Sequence, residues 1–337
     1  MPITRLTRKL LGSLDLARHV LRRDRGEPII LMYHGVEADA VLAATGGAAS
    51  KQVPESLFRK QVELLAAKRR VVPLADLIQH LSEGRDCRGM LAITFDDGYL
   101  NNATVAAPIL KKLGLPATVF LATGFVGAQR WAWTDRLEHV VGNAPAQDVS
   151  VTIESGAGQP RGAPLSARLS DDASRAEFLR RFKAGLKTLG WREAEQQVAA
   201  LGKQLGLDDS VPYGKYRFMT WDDARRMVAD GFEMGAHTVN HVILSRVALG
   251  EAQDEILHSR QDVAREVGKC CRTFCYPNGI STDFTPAILD FCRGHFDAAL
   301  SAMSGTASLQ QRYEIRRIGV GAETTVKRLA ARLLSGR

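Results

Sequence analysis

Thr94-Phe95-Asp96-Asp97-Gly98 follows directly on Met90-Leu91-Ala92-Ile93, and the junction of these two runs decides how the chain folds. The apolar run has the composition of a strand covered on both faces, as in a parallel sheet. Two adjacent carboxylates stand where that strand must end. Taken alone, Asp97-Gly98 reads as a turn, because both residue types favour the backbone conformations that reverse a chain. The second half of the sequence changes that reading. His237-Thr238-Val239-Asn240-His241 sets two imidazoles four residues apart, again just after a strand-like run, Phe232 to Ala236. Two histidines and a carboxylate supply a metal site that keeps a position open for water, and the second carboxylate remains to take a proton from that water.

Working outward, Ile29-Ile30-Leu31-Met32-Tyr33 predicts a buried first strand ending at His34-Gly35, followed by a glycine-rich polar loop through Ser50. Helical spacing predicts helices over 56–70 and 74–81. Asn101 or Asn102 can cap a helix with Val105, Ile109, Leu110 and Leu113 on its apolar face. Pro108 breaks its first turn, so the regular helix starts there. Further strands are expected at 117–122, 232–236, 273–276, 296–302 and 313–320, with helices between them.

Such alternation belongs to a parallel sheet, and the expected fold is α/β, an irregular TIM-like (β/α)7 barrel. The rhythm breaks from about 127 to 216. There we expect a mainly helical insertion, with a loop at 155–164 and charged helices near 178–189 and 194–205, covering one rim of the barrel. The expected organisation is a basic amphipathic segment 1–26, a barrel 27–322 carrying that insertion, and a basic helix 323–337.

Of the 337 residues, 45% are hydrophobic and 24% charged, the composition of a globular protein with a large core. Residues 1–25 hold seven Arg or Lys against Asp15 and Asp24, and residues 316–337 hold six against Glu323, so the net charge of +8 sits at the two ends. Both ends also space leucines as helices do. Basic amphipathic helices of this kind can contact an anionic membrane surface. No run is long enough to span a membrane. Leu6, Leu10, Leu11, Leu14 and Leu16 are interleaved with charges, unlike the core of a signal peptide, so a cytoplasmic location is expected. An odd count of five cysteines fits reduced thiols. No aromatic residues interleave the basic ends, which argues against nucleic acid as a partner.

In a β/α barrel, chemistry gathers at the C-terminal ends of the strands, and His34, Asp96, Asp97, His237 and Pro277-Asn278 all fall at such ends. Asp97, His237 and His241 form a ligand set suited to Zn²⁺ or another divalent ion. If 237–241 makes one helical turn, both imidazoles face the same way. Asp96 is then placed as the base acting on a metal-bound water, and the expected reaction is hydrolysis of an amide or ester. Standing alone, the histidine pair would read as core or capping residues. His34 reads equally as a rim acid or as a hydrogen-bonding group at the barrel end.

These residues resemble the motifs of the polysaccharide deacetylase family, the NodB-homology carbohydrate esterases (carbohydrate esterase family 4). Thr94-Phe95-Asp96-Asp97-Gly98 is similar to its first motif, His237-Thr238-Val239-Asn240-His241 to its His-Ser/Thr-x-x-His motif, and Leu31-Met32-Tyr33-His34 to a common opening. The resemblance implies a metal-dependent hydrolase that removes acetyl groups from N-acetylated sugars of a polysaccharide or glycan precursor, and the basic ends and expected location suit a lipid- or nucleotide-linked one. Asp96 would be its base, Asp97, His237 and His241 its metal ligands, and Tyr276, Pro277 and Asn278 contacts to the sugar.

Two departures stand out. The family's Arg-x-Pro-Tyr/Phe motif appears here as Cys275-Tyr276-Pro277-Asn278, which leaves Asp96 without that motif's arginine. Tyr313 to Ile318 holds no histidine to act as the late general acid, which leaves His34 or a metal-bound water for that role. The alternatives are a glycan-binding homologue that keeps the metal without turnover, and an amidohydrolase acting on a small non-sugar amide.

Overall fold

The computed structural model describes residues 26–45, 51–154, 159–207 and 211–336. The expected basic segment 1–26 lies outside them apart from Gly26, as do parts of the loops expected at 35–50 and 155–164. In chain order the strands are β1 (Ile29–Tyr33), β2 (Gly35–Glu37), β3 (Gln52–Pro54), β4 (Arg70–Val71), β5 (Met90–Phe95), β6 (Thr118–Leu121), β7 (Asp148–Val151), β8 (Leu165–Arg168), β9 (Glu233–Ala236), β10 (Thr273–Cys275), β11 (Ala298–Leu300) and β12 (Ile318–Gly319).

The principal sheet follows the order β11-β10-β9-β6-β5-β1-β12 and is parallel throughout, with β4 paired to the start of β5. It curls until a parallel bridge from Leu300 to Ile315, just ahead of β12, brings its two ends together. This is the irregular β/α barrel that the alternation predicts. The strands expected at 296–302 and 313–320 are shorter than expected. Arg317 N donates instead to the Met303 carbonyl at 2.9 Å, so the chain leaves the ladder there.

Alternation along each strand divides the core in two. Ile29, Leu31 and Tyr33 of β1 and Leu91, Ile93 and Phe95 of β5 face the surrounding helices. Ile30, Ala92, Phe120, Cys275, Ala298 and Leu300 fill the interior. Because both faces are covered, the strands read as unbroken apolar runs. Phe120 lies opposite Gly235 in the ladder. A Cβ at Gly235 would come within 2.5 Å of the Phe120 ring, so the missing side chain is what admits the phenyl group.

The segment expected as a loop to Ser50 instead holds β2 and a helix, Asp39–Thr45, with β2 paired to β3. The helix expected around Pro108 begins with a π-helical turn, Asn102–Ala106, and becomes regular over Ala107–Lys112, with the proline in its first turn. In the insertion, helices Trp133–Asn143, Asp172–Leu186 and Trp191–Leu205 enclose a separate core containing Leu137, Phe178, Phe182, Val198 and Leu201. Its antiparallel hairpin β7–β8 was not expected from the sequence.

The C-terminal helix, Val326–Ser335, buries Leu329, Ala330 and Leu333 and packs on helix Glu55–Lys68. Its apolar face is therefore covered by the barrel and is not available to a membrane surface. No helix among the described residues is long and apolar enough to cross a membrane. For the barrel interior, Gly235→Ala should lower stability by about 1–3 kcal/mol through overpacking against Phe120. A reduced urea midpoint would register this; an unchanged midpoint would show that the ring is not held as described.

Candidate active site

Backbone strain marks the rim. Among the described residues, the non-glycine positions with positive φ are Asp97 (74°), Thr238 (62°), His241 (52°) and Asn278 (59°). For a β-branched residue such as Thr238 this conformation is a genuine outlier, and strain of this kind persists only where surrounding contacts enforce it. The turn Asp97-Gly98 ends β5. Gly98 is also left-handed, and a Cβ there would lie 2.8 Å from Leu121 Cδ2.

The histidine segment is not the helical turn expected from its spacing; it is a loop. Glu255, buried on helix Leu249–Val267, accepts from Val239 N at 2.9 Å, Asn240 N at 2.8 Å and Asn240 Nδ2 at 2.6 Å. On its other side, Thr123 N and Gly124 N donate to the carbonyls of Thr238 and Val239 at 3.0 and 2.8 Å. The loop is thus clamped between the end of β6 and that helix.

This clamping brings the two imidazoles to one carboxylate oxygen. Asp97 Oδ1 lies 3.4 Å from His237 Nε2 and 3.2 Å from His241 Nε2. That oxygen is buried and accepts no hydrogen bond among the described residues. His237 Nδ1 sits 2.7 Å from the Cys275 carbonyl, which can only accept; Nδ1 therefore carries the proton and Nε2 is the ring's ligand atom. An orphaned carboxylate oxygen and two imidazole nitrogens, all within 4.8 Å of one another, fit a divalent cation, and one oxygen with two nitrogens is a donor set that Zn²⁺ accepts.

The electrostatics agree. Burial holds the His241 imidazole below its ordinary value, in the neutral form a ligand needs. Burial also acts downward on His237, but Cys275, Asp97 and Asp96 outweigh it and hold the ring well above its usual value, so a proton and a cation compete for the same nitrogen. For Asp97, burial acts upward and is overcome by Lys51 and the two histidines, which hold the carboxyl well below the carboxylate range.

Asp96 has a different partner. Arg317, fully buried, donates to Asp96 Oδ1 at 2.8 Å and Oδ2 at 2.7 Å. Its remaining donors reach the Ser301 carbonyl at 2.8 Å, Thr94 Oγ1 at 3.1 Å and Cys275 Sγ at 2.9 Å. Burial alone would raise the Asp96 carboxyl; the guanidinium outweighs it and holds the group below its ordinary value. The arginine missing from the Cys275-Tyr276-Pro277-Asn278 segment is thus supplied from the chain entering β12. Cys275 packs against it from the vacated position.

Asp96, His237 and His241 line a pocket of about 210 Å³ together with His34. The pairing of Tyr33 with Phe95 sets His34 beside Asp96, and burial lowers the His34 imidazole so that it is neutral near pH 7. Tyr276 also lines this pocket; its ring stacks on Phe284 at 4.2 Å, and its hydroxyl donates to the Tyr313 carbonyl at 2.7 Å. Pro277 is buried and is not among the lining residues, whereas Asn278 edges the pocket.

Sequence reasoning missed Arg317, Glu255 and Lys51, whose Nζ is 3.1 Å from Asp97 Oδ2 and 3.3 Å from Asp135 Oδ1. An arginine within Ile315-Arg316-Arg317-Ile318 was the available signal, since a charge inside an apolar strand needs a buried partner.

The sequence matches the family model described as polysaccharide deacetylase over residues 83–155 and 181–292, more than half of the chain. The chain belongs to the polysaccharide deacetylase family. Both matched segments contain site residues, the Asp96-Asp97 turn in one and the His237–His241 loop in the other, while His34 and Arg317 lie outside them.

Two solved structures share the family fold. The Streptococcus pyogenes deacetylase PplD in complex with acetate is 16% identical with a TM-score of 0.58, covering 93% of this chain and 99% of that one. A de-N-acetylase from Aggregatibacter actinomycetemcomitans is 16% identical with a TM-score of 0.55, covering 91% and 99%. YxkH of Bacillus subtilis (strain 168), assigned by its name to the same family, is 29% identical over 100 residues, 29% of this chain; the match spans about a third of that protein, 33%.

If Glu255 holds the ligand loop, Glu255→Ala should weaken Zn²⁺ binding about 10–100-fold, as losses of outer ligand-orienting contacts do. Competition against a chelating dye measures this; unaltered affinity would remove Glu255 from the account.

Proposed function

We propose that the protein removes acetyl groups from N-acetylated sugars of a polysaccharide or glycan precursor, with a divalent cation, preferentially Zn²⁺, held by Asp97, His237 and His241. The observation that carries this reading is the division between adjacent aspartates. Asp96 is clamped by a guanidinium, while Asp97 Oδ1 is left facing two imidazole nitrogens. When bound, such a cation supplies Lewis acidity toward an amide carbonyl.

The chain's own residues do the rest. Asp96 takes the proton of the attacking water, because Arg317 keeps it ionised at neutral pH and fixes the plane of its carboxylate. His34, neutral and lining the same pocket, accepts that proton in turn and delivers it to the departing nitrogen. Tyr276 and Asn278, both expected sugar contacts, line the pocket. Trp133 and Thr134 of the insertion form part of the pocket wall together with the barrel residues.

The reading as a non-catalytic glycan binder rests on the missing late histidine acid and on a missing arginine partner for Asp96. Arg317 fills that place, which favours turnover. The fold shared with deacetylases, one of them titled a de-N-acetylase, supports an amide-linked acetyl group as the target.

Acetate release from an N-acetylated chitooligosaccharide tests the proposal. Release should disappear on chelation and return with Zn²⁺, and release that persists in metal-free protein would contradict it. The reaction needs Asp96 as the carboxylate, so activity is present above its pKa and falls as pH drops through it. In Arg317→Lys the fork is lost, burial gains weight, and the acidic limb of kcat/KM should move up by about one pH unit. An unmoved limb would mean that Arg317 does not set the protonation of the base.

A further inference from the structure

Two lysines in the pocket stand outside ion-pair distance of every carboxylate among the described residues. Lys183, in the last turn of helix Asp172–Leu186, and Lys187, one turn further on, both line the cavity that holds Asp96, His237 and His241. Other cations of the site are matched: Arg317 by Asp96, and Lys51 by Asp97 and Asp135. Among the described residues, neither Lys183 nor Lys187 forms an ion pair. Lys187 donates to the neutral side-chain oxygen of Asn278, and among the described residues the Lys183 ammonium makes no hydrogen bond.

Both ammonium groups are half-buried. Burial, aided by the nearby positive charge of Lys51 and Lys187, outweighs the pull of Asp135 and Glu138 and lowers Lys183 to about 8; burial and Lys51 likewise outweigh Asp283 and lower Lys187. A cation near a helix C-terminus gains from the helix dipole, but a solvated lysine would gain as much without entering a cavity. Unmatched charge in a concave, partly desolvated site instead attracts an ion of opposite sign.

The anion's class follows from the donors. No arginine lines this pocket. A guanidinium fork grips carboxylate and phosphate alike; freely rotating ammonium groups act instead as point charges, a mode in which lysines bind the oxygens of a phosphate. We propose that Lys183 and Lys187 form a subsite for a phosphate group carried by the N-acetylated sugar, an inference that rests on the deacetylase reading and narrows its substrate to a sugar phosphate or phosphodiester. The insertion thereby sets substrate choice, while the barrel supplies the chemistry.

The test uses the Zn²⁺-loaded full chain with matched probes: N-acetylglucosamine, its 1-phosphate, and an N-acetylated sugar bearing a uronic carboxylate. Calorimetry measures binding, and acetate release is followed in parallel. The phosphate should bind about tenfold more tightly than the neutral sugar, the worth of one charge-assisted contact. That ratio should fall toward one in Lys183→Met and in the Lys183→Met/Lys187→Met pair, and return in the corresponding arginine variants.

Equal affinity for the neutral and phosphorylated probes would overturn the subsite, as would a preference that survives in the folded double variant. Tighter binding of the uronate than of the phosphate would overturn its assignment to phosphate. If the preference and its loss both appear but neither sugar releases acetate, the subsite stands and the deacetylase reading fails.

Discussion

Two neighbouring carboxylates cannot both be buried at the mouth of a barrel unless each is given its own positive partner, and this constraint organises the site. Asp96 and Asp97 are each 3% exposed. Leaving either charge unpaired would cost about 3–5 kcal/mol, a large part of a typical domain's stability. Arg317 answers for Asp96 from just ahead of the last strand of the barrel. Lys51 answers for one oxygen of Asp97, and the other is left to the histidines. Two identical side chains thus acquire different surroundings, one fixed as an ionised carboxylate by a guanidinium and the other turned toward two imidazole nitrogens.

The same constraint explains where backbone strain is stored. Asp97, Thr238, His241 and Asn278 take left-handed conformations at the ends of β5, β9 and β10. Each lies in a turn tied down by buried carboxylates or by neighbouring backbone. Glu255 holds the histidine loop. Asp283 accepts from Asn278 Nδ2 at 2.6 Å and Ile280 N at 2.9 Å, holding the turn after β10. Such turns aim side chains inward that a straight strand end would send to solvent, and the packed helices behind them absorb the cost.

Much of this was legible in the residues. β1 and β5 occupy the predicted runs, since strands buried on both faces carry an unmistakable apolar signature. Asp97, His237 and His241 converge as their placement at strand ends implied. What the sequence hid are contacts made across long separations. Arg317 meets Asp96 across 221 positions, a distance over which no local pattern reports. The histidine spacing suggested a helical turn, and the loop that replaces it depends on Glu255, which helical periodicity shows only as one more charge. Lys183 likewise looks like an ordinary solvated residue until the insertion folds over the rim.

Anomalous diffraction from crystals grown with Zn²⁺ examines most directly whether the site is built around a cation. The account predicts one strong peak at the zinc edge, about 2.0–2.2 Å from a carboxylate oxygen of Asp97 and from Nε2 of both His237 and His241. A zinc-loaded crystal with no peak between those three residues, or with the metal bound by Asp96 and Cys275 instead, would contradict it.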